Sequence, residues 1–421
     1  MSFAQRLDHV ETSAIRELFK LLGKPGIISF AGGFPDSALF DVAGIRAAVN
    51  AALDAEPGAA LQYGATEGYG PLREQLAAFM ATKGARDVAP EQLIVTTGSQ
   101  QALDLIGKTL ISPGDKVIVE GPPFLATIQC FRLYGAELIS APIDGDGVQT
   151  DALERLIEQH RPKFVYLIPT FGNPSGATLS AERRRAVLEM AVRHDTLIVE
   201  DDPYGELYFD APPPPSLLAL SAEVPGSRAR LVHCGSLSKV LSPGLRVGWM
   251  IAPPELLAKA TMCKQFSDAH TSTFAQATAA HYLASGAMPQ TLARVRQVYA
   301  ERARAMTEAL QLELGAALAF VPPRGGLFVW ARLTGAGGAL ADGDEFARRA
   351  IERGVAFVPG APFYASQPDR ATLRLSFATV GVDRIVEGVQ RLRAALGNAE
   401  QVPRVPRIPA AGGLLRCKSS P

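Results

Sequence analysis

A chain of 421 residues, 47% of them hydrophobic, has the length for two domains and a large buried interior. Lys and Arg number 42, as do Asp and Glu, so the chain lacks the overall positive charge that nucleic-acid binding draws on. Cys130, Cys234, Cys263 and Cys417 are scattered without a CxxC pair, no apolar run reaches membrane-spanning length, and no signal peptide opens the chain; the expectation is a reducing, cytoplasmic setting with no membrane partner and no metal site.

In chain order, the apolar spacing predicts a short helix over Ser13–Leu22, carrying Arg16, which by itself reads equally as a solvated helix charge. Ile27–Asp36 follows, where Gly32 and Gly33 read foremost as a turn before the next helix and otherwise as a place where the backbone passes close to another group. Tyr63 sits in the irregular stretch Gln62–Arg73 with a hydroxyl able to donate to an anion, and Pro71 opens a helix running to about Lys83. Leu93–Thr96 reads as a strand, Thr97–Gly98–Ser99 as a tight turn and Gln100–Leu110 as a helix. The free N–H groups at such a helix start bind phosphate, and Ser99 also reads as a simple cap.

The alternation of apolar strand and amphipathic helix continues through 117–119, 164–168, 197–199 and 230–233, which predicts an α/β fold with a mostly parallel sheet covered on both faces. Ligands in such sheets sit at the C-terminal strand ends. Those ends carry Phe124, Asn173, Glu200-Asp201-Asp202 with Tyr204, and Gly235-Ser236-Leu237-Ser238-Lys239 with Arg246 seven residues on. An aromatic ring, an amide, an acid, a tyrosine and a lysine converging on one crevice meet the needs of pyridoxal 5′-phosphate: an amine for its aldehyde, a carboxylate for its ring nitrogen, donors for its phenolate oxygen, a stacking partner and a phosphate cup.

The segments Ser13–Glu17, Ile28–Gly33, Gln62–Gly64, Asn173–Gly176, Glu200–Tyr204, Gly235–Lys239 and Leu373–Phe377 fall in the order found in the fold-type I, class I/II pyridoxal-phosphate aminotransferases. Up to about residue 397 the chain resembles that family, nearest its 2-aminoadipate/kynurenine branch. The resemblance implies a large domain over residues 46–290 with a mostly parallel seven-stranded sheet, a smaller α/β domain over 291–397 joined by the segment 1–45, and a loose tail over 398–421.

It further implies roles. Lys239 forms the Schiff base and moves the proton, Asp201 pairs with the ring nitrogen, and Asn173 and Tyr204 donate to the phenolate oxygen. Ser99, Gln100, Ser236, Ser238 and Arg246 hold the phosphate, joined by Tyr63 from a second subunit of a homodimer, and Phe124 stacks on the ring. Arg374 grips the substrate α-carboxylate with Gly33 close by, and Arg16 meets a distal carboxylate. The implied partners are an L-amino acid such as glutamate or 2-aminoadipate and a 2-oxo acid.

Many relatives carry tyrosine where this chain has Phe124, so a hydroxyl contact is lost there. A lyase or decarboxylase on the same fold needs the same lysine, acid and cup and is told apart by its products. A regulator of the MocR type is disfavoured, because only about thirty residues precede Ser29, too few for a DNA-binding module.

Overall fold

The computed structural model describes residues 3–7, 26–336 and 340–397; the helix expected at 13–22, Arg16 within it and the tail at 398–421 lie outside them. Short runs of β-branched and aromatic residues form the larger sheet: β2 (Leu93–Thr96), β3 (Lys116–Gly121), β4 (Glu137–Asp144), β5 (Gly147–Val148), β6 (Phe164–Leu167), β7 (Leu197–Asp202), β8 (Leu231–Ser236) and β9 (Gly248–Ile251). Their order is β2-β9-β8-β7-β6-β3-β4-β5. The pairs β3·β4, β3·β6, β6·β7 and β7·β8 are parallel, whereas β9 runs antiparallel to both β2 and β8. The family resemblance implies seven strands; the eighth, β5, is a two-residue strand paired antiparallel to β4, too short to leave a periodic signal.

Successive strand residues point to opposite faces, so the sheet supports two cores. Val117, Val119, Phe164, Tyr166, Val199 and Val232 face one of them. Ile118, Val165, Leu167, Ile198 and Leu231 face the other. Both faces are covered, which is why these strands read as continuous apolar runs; each buried side chain of this size contributes about 1.5–3 kcal/mol by leaving water.

A second sheet has the order β10 (Leu318–Phe320), β11 (Phe328–Leu333), β14 (Thr372–Ser376) and β13 (Val358–Pro359), all antiparallel. The strand β1 (Ile28–Ser29) joins β12 (Val355–Ala356) in parallel, and Phe30 bridges the two ends of the chain: its N–H donates to Ala356 at 2.7 Å while its carbonyl accepts from Ser376 at 2.7 Å. Residues 28–33 are thereby fixed to the C-terminal part of the chain. The long helix Met288–Glu313 packs Ala303, Met306 and Leu310 into the same core as Val389 and Leu392 of the closing helix Val382–Leu396.

Candidate active site

The run Glu200-Asp201-Asp202 at the end of β7 is sorted by strand alternation. Glu200 accepts from the N–H groups of Leu217 and Leu218 and pairs with His233 Nδ1 at 2.8 Å, and Asp202 pairs with Lys83 at 3.0 Å. Asp201 points to the opposite face, where its Oδ2 accepts from the Tyr166 hydroxyl at 2.7 Å. Its Oδ1 is buried without a hydrogen-bond partner. Burial pushes this carboxyl up to about 6, with the Tyr166 hydrogen bond acting in the other direction.

After β8, the chain turns back on Leu237, whose carbonyl accepts from the N–H groups of Leu241 at 2.9 Å and Ser242 at 3.2 Å, and whose own N–H donates to Val247 at 3.0 Å. Leu237 is fully buried and anchors the turn. Lys239 leaves this turn and its Nζ donates to the Gly33 carbonyl at 2.8 Å. Burial, then the positive charges of Arg374 and Arg246, bring the amine down to about 8. A buried, partly neutral amine is the state a nucleophile needs.

The helix Ser99–Leu110 begins without any side-chain cap. Ser99 is its first helical residue, so the capping reading of that serine does not apply; the N-cap position belongs to Gly98, at φ 76°, ψ 167°, a conformation only glycine adopts readily. A Cβ there would also lie 2.4 Å from Arg246 Nη2. Arg246, itself left-handed at φ 54°, donates to the carbonyls of Pro243 at 3.1 Å and Thr97 at 3.2 Å. Free N–H groups, a helix dipole and one guanidinium therefore meet at a single point, with Ser99 half-buried, Gln100 exposed, and Ser236 Oγ accepting from the Ser238 N–H at 3.1 Å nearby in sequence.

Arg374 lies in β14 and is 3% exposed. Its Nη1 donates to Asn173 Oδ1 at 2.8 Å and its Nη2 to the Ala31 carbonyl at 3.1 Å, while Nε has no partner. The guanidinium lies 4.2 Å from the Phe328 ring centre and 4.9 Å from that of Phe363. Among the described residues no carboxylate pairs with it, and burial lowers it to about 10. Asn173 also donates through Nδ2 to the Tyr204 hydroxyl at 3.4 Å, and burial raises that phenol to about 12. A Cβ on Gly33 would lie 3.2 Å from Phe328 and 4.0 Å from Arg374, so this backbone comes close to the guanidinium.

Lys239 is thus bonded to Gly33, and Arg374 to Asn173 and through it to Tyr204; the two groups adjoin where a Cβ on Gly33 would come within 4.0 Å of Arg374, and the Asp201 charge is close enough to act on Tyr204. Phe124 precedes the helix Leu125–Leu133 and is half-buried against the core. Tyr63 stands apart: it is 85% exposed, with its ring edge-to-face on His270 at 5.8 Å. An open cleft of about 790 Å³ lies between Pro122, Ser175 and Gly176 on one wall and Phe328, Trp330 and Tyr364 on the other.

Two features escaped the sequence. Tyr166 reads there as one more apolar strand residue, and only the register of β6 against β7 brings its hydroxyl to Asp201. Lys264, fully buried, bonds Asp268, Gln101 and Thr271, and Asp268 in turn accepts from Thr97. That network supports the turn before Ser99 and could be found only by a pairing across more than 160 residues.

The family model for aminotransferase class I and II matches residues 28–392. The 2-aminoadipate transaminase of Thermus thermophilus is 43% identical over 397 residues, 94% of this chain and 96% of the relative. Aromatic-amino-acid aminotransferase 1 of Thermococcus litoralis is 37% identical over 395 residues, 93% of each. Among solved structures, the α-aminoadipate aminotransferase of Thermus thermophilus, complexed with N-(5′-phosphopyridoxyl)-L-leucine, gives a TM-score of 0.85 at 41% identity, covering 94% of this chain and 97% of that one. A match that spans most of the chain, on a fold shared to this extent, places the protein in the class I and II aminotransferases, fold-type I enzymes that depend on pyridoxal phosphate.

Proposed function

We propose that the protein moves the amino group of an L-amino acid, with glutamate or 2-aminoadipate as the favoured donors, to a 2-oxo acid in two half-reactions. The observation that carries this reading is the convergence of an amine and a guanidinium on one short segment: Lys239 Nζ lies 2.8 Å from the Gly33 carbonyl and Arg374 Nη2 lies 3.1 Å from that of Ala31. An α-amino acid carries its amino and carboxylate groups on one carbon, and it presents them to two such neighbours at once.

The residues fit the cofactor. The unpartnered Asp201 Oδ1 suits a ring N–H, the uncapped start of the helix Ser99–Leu110 with Arg246 suits a phosphate, and the unpartnered Arg374 Nε suits a substrate carboxylate. When bound, pyridoxal phosphate supplies an aldehyde for the amino group and a ring that draws electrons from the α-carbon. Asp201 holds the ring nitrogen, Asn173 and Tyr204 the phenolate oxygen, and Phe124 a ring face. Ser99, Gln100, Ser236, Ser238 and Arg246 hold the phosphate. Arg374 would fix the α-carboxylate against Gly33, and Lys239, whose amine burial and the charges of Arg374 and Arg246 bring toward the neutral form, would take the α-proton.

Donor choice rests on Arg16, assigned to the distal carboxylate, and on the names of the Thermus relatives. L-Glutamate added alone to the yellow holoprotein should bleach the visible band and release one 2-oxoglutarate per site. Arg16→Ala should raise KM for glutamate and 2-aminoadipate about tenfold or more, the loss of one charge-assisted hydrogen bond, and leave leucine nearly unaffected. Equal effects on both substrates would remove the assignment, and ammonia with pyruvate released from a three-carbon amino acid that carries a leaving group on its β-carbon, with the departing group as the third product, would favour the lyase reading.

The working unit in this proposal is a homodimer. Its support is the exposed apolar face around Leu61, Tyr63 and Phe274, which offers Tyr63 to a second copy's phosphate cup. Light scattering should give twice the chain mass, and Tyr63→Phe should weaken cofactor affinity severalfold; a fully active monomer would sink the shared site. The division at residues 45, 290 and 397 and a reducing, cytoplasmic setting belong to the same proposal, supported by the joining of β1 to β12 and by free Cys130, Cys234 and Cys263. No described helix is long and apolar enough to cross a membrane.

A further inference from the structure

The carboxylate assigned to the ring nitrogen is held by one side chain. We infer that Tyr166 is a positioning residue of the reaction: its hydroxyl, bonded to Asp201 Oδ2 at 2.7 Å, fixes the carboxylate so that Oδ1 is the oxygen presented to the ring nitrogen. The inference rests on the aminotransferase reading and on Asp201 as the acid of that reading.

Geometry leaves Tyr166 little freedom. It lies in β6, 1% exposed, with Val199 of β7 as its register partner. Asp201 is two residues beyond Val199 on the same strand face, so the tyrosine reaches it diagonally between adjacent parallel strands. Phe131 packs edge-to-face on the tyrosine ring at 5.8 Å and on Phe164 at 5.1 Å, which fixes the ring plane. No other hydrogen bond to either Asp201 oxygen is found among the described residues.

A carboxylate with one bonded and one bare oxygen cannot rotate freely, because rotation would break its only hydrogen bond in a buried place. The hydroxyl also favours the charged form of Asp201 against the burial that opposes it. Burial and the nearby Asp201 charge keep the phenol protonated, so it stays a donor. Both effects act on the strength of the pairing with the ring nitrogen and neither acts on the substrate. Tyr166 should therefore influence turnover through Asp201 and leave amino-acid binding to Arg374.

Tyr166→Phe keeps the ring and its packing and removes only the donor. In the full-length holoprotein its kcat should fall ten- to hundredfold, the range for one hydrogen bond to a charged group, with KM within about twofold. With pyridoxal phosphate labelled with ¹⁵N in the ring, the resonance should move from its wild-type position toward the unprotonated one at the same pH. Replacement of Tyr166 by 3-fluorotyrosine, a stronger donor of nearly the same shape, should shift that resonance the opposite way and serves if the phenylalanine variant does not fold. A ¹⁵N position unmoved by either change would overturn the inference while leaving the aminotransferase reading intact. An unprotonated ring nitrogen in the wild type would overturn the assignment of Asp201 and the inference with it.

Discussion

Lys239→Ala should lower turnover by about 10⁴-fold or more, since the same amine is asked to bind the cofactor's aldehyde and to move the α-proton, and acid–base catalysis alone is worth about 10²–10⁴. The visible absorption band of the holoprotein should vanish with it. The environment of Lys239 gives a second readout. Its amine has an ordinary value of 10.5 and sits at about 8 here, so at pH 7.5 roughly a quarter is neutral, against about one part in a thousand without the shift. Only the neutral form attacks. Capture of pyridoxal phosphate by the apoprotein should therefore quicken as pH rises through about 8 and level off above it. A variant retaining more than a few per cent of wild-type turnover would sink the assignment, and a capture rate still climbing steeply at pH 10 would show that the amine is not lowered toward 8.

Part of this was legible in the sequence because fully covered strands are apolar along their whole length. β2, β6 and the starts of β3, β7 and β8 were readable for that reason. Their polar ends were not. The run Leu197–Val199 reads as a complete strand, yet β7 continues through Glu200-Asp201-Asp202, because His233 and Lys83 satisfy two of those acids inside the protein. Periodicity cannot anticipate such partners. The two-residue strands β1, β5, β12 and β13 leave no pattern at all, although β1 fixes the segment that brings Gly33 to Lys239 from 206 residues away. The site was visible as a set of residue types at strand ends; which oxygen of which acid is bare depends on register, and register belongs to the folded state.

Arg374 carries the second large effect. A buried guanidinium held by Asn173 and a backbone carbonyl, between Phe328 and Phe363, with no acid beside it among the described residues, is destabilised by its own desolvation until an anion arrives. A substrate carboxylate supplies that anion and can bond two nitrogens of the planar group together. Arg374→Ala should reduce kcat/KM for amino acids by about 10²–10³-fold, the loss of roughly 3–4 kcal/mol from a buried charge pair, and Arg374→Lys should recover only a small part because an ammonium cannot form the two parallel bonds. A primary amine without a carboxylate should react equally slowly with the wild type and the variant. The variant also removes one of the two positive charges that depress Lys239, so the midpoint for cofactor capture should move to higher pH, and a 2-oxo acid that raises the melting temperature of the wild type should no longer do so. If capture shifts while amino-acid kinetics hold, Arg374 acts only on the lysine; if both move together, one guanidinium orients the substrate and keeps the amine ready to attack.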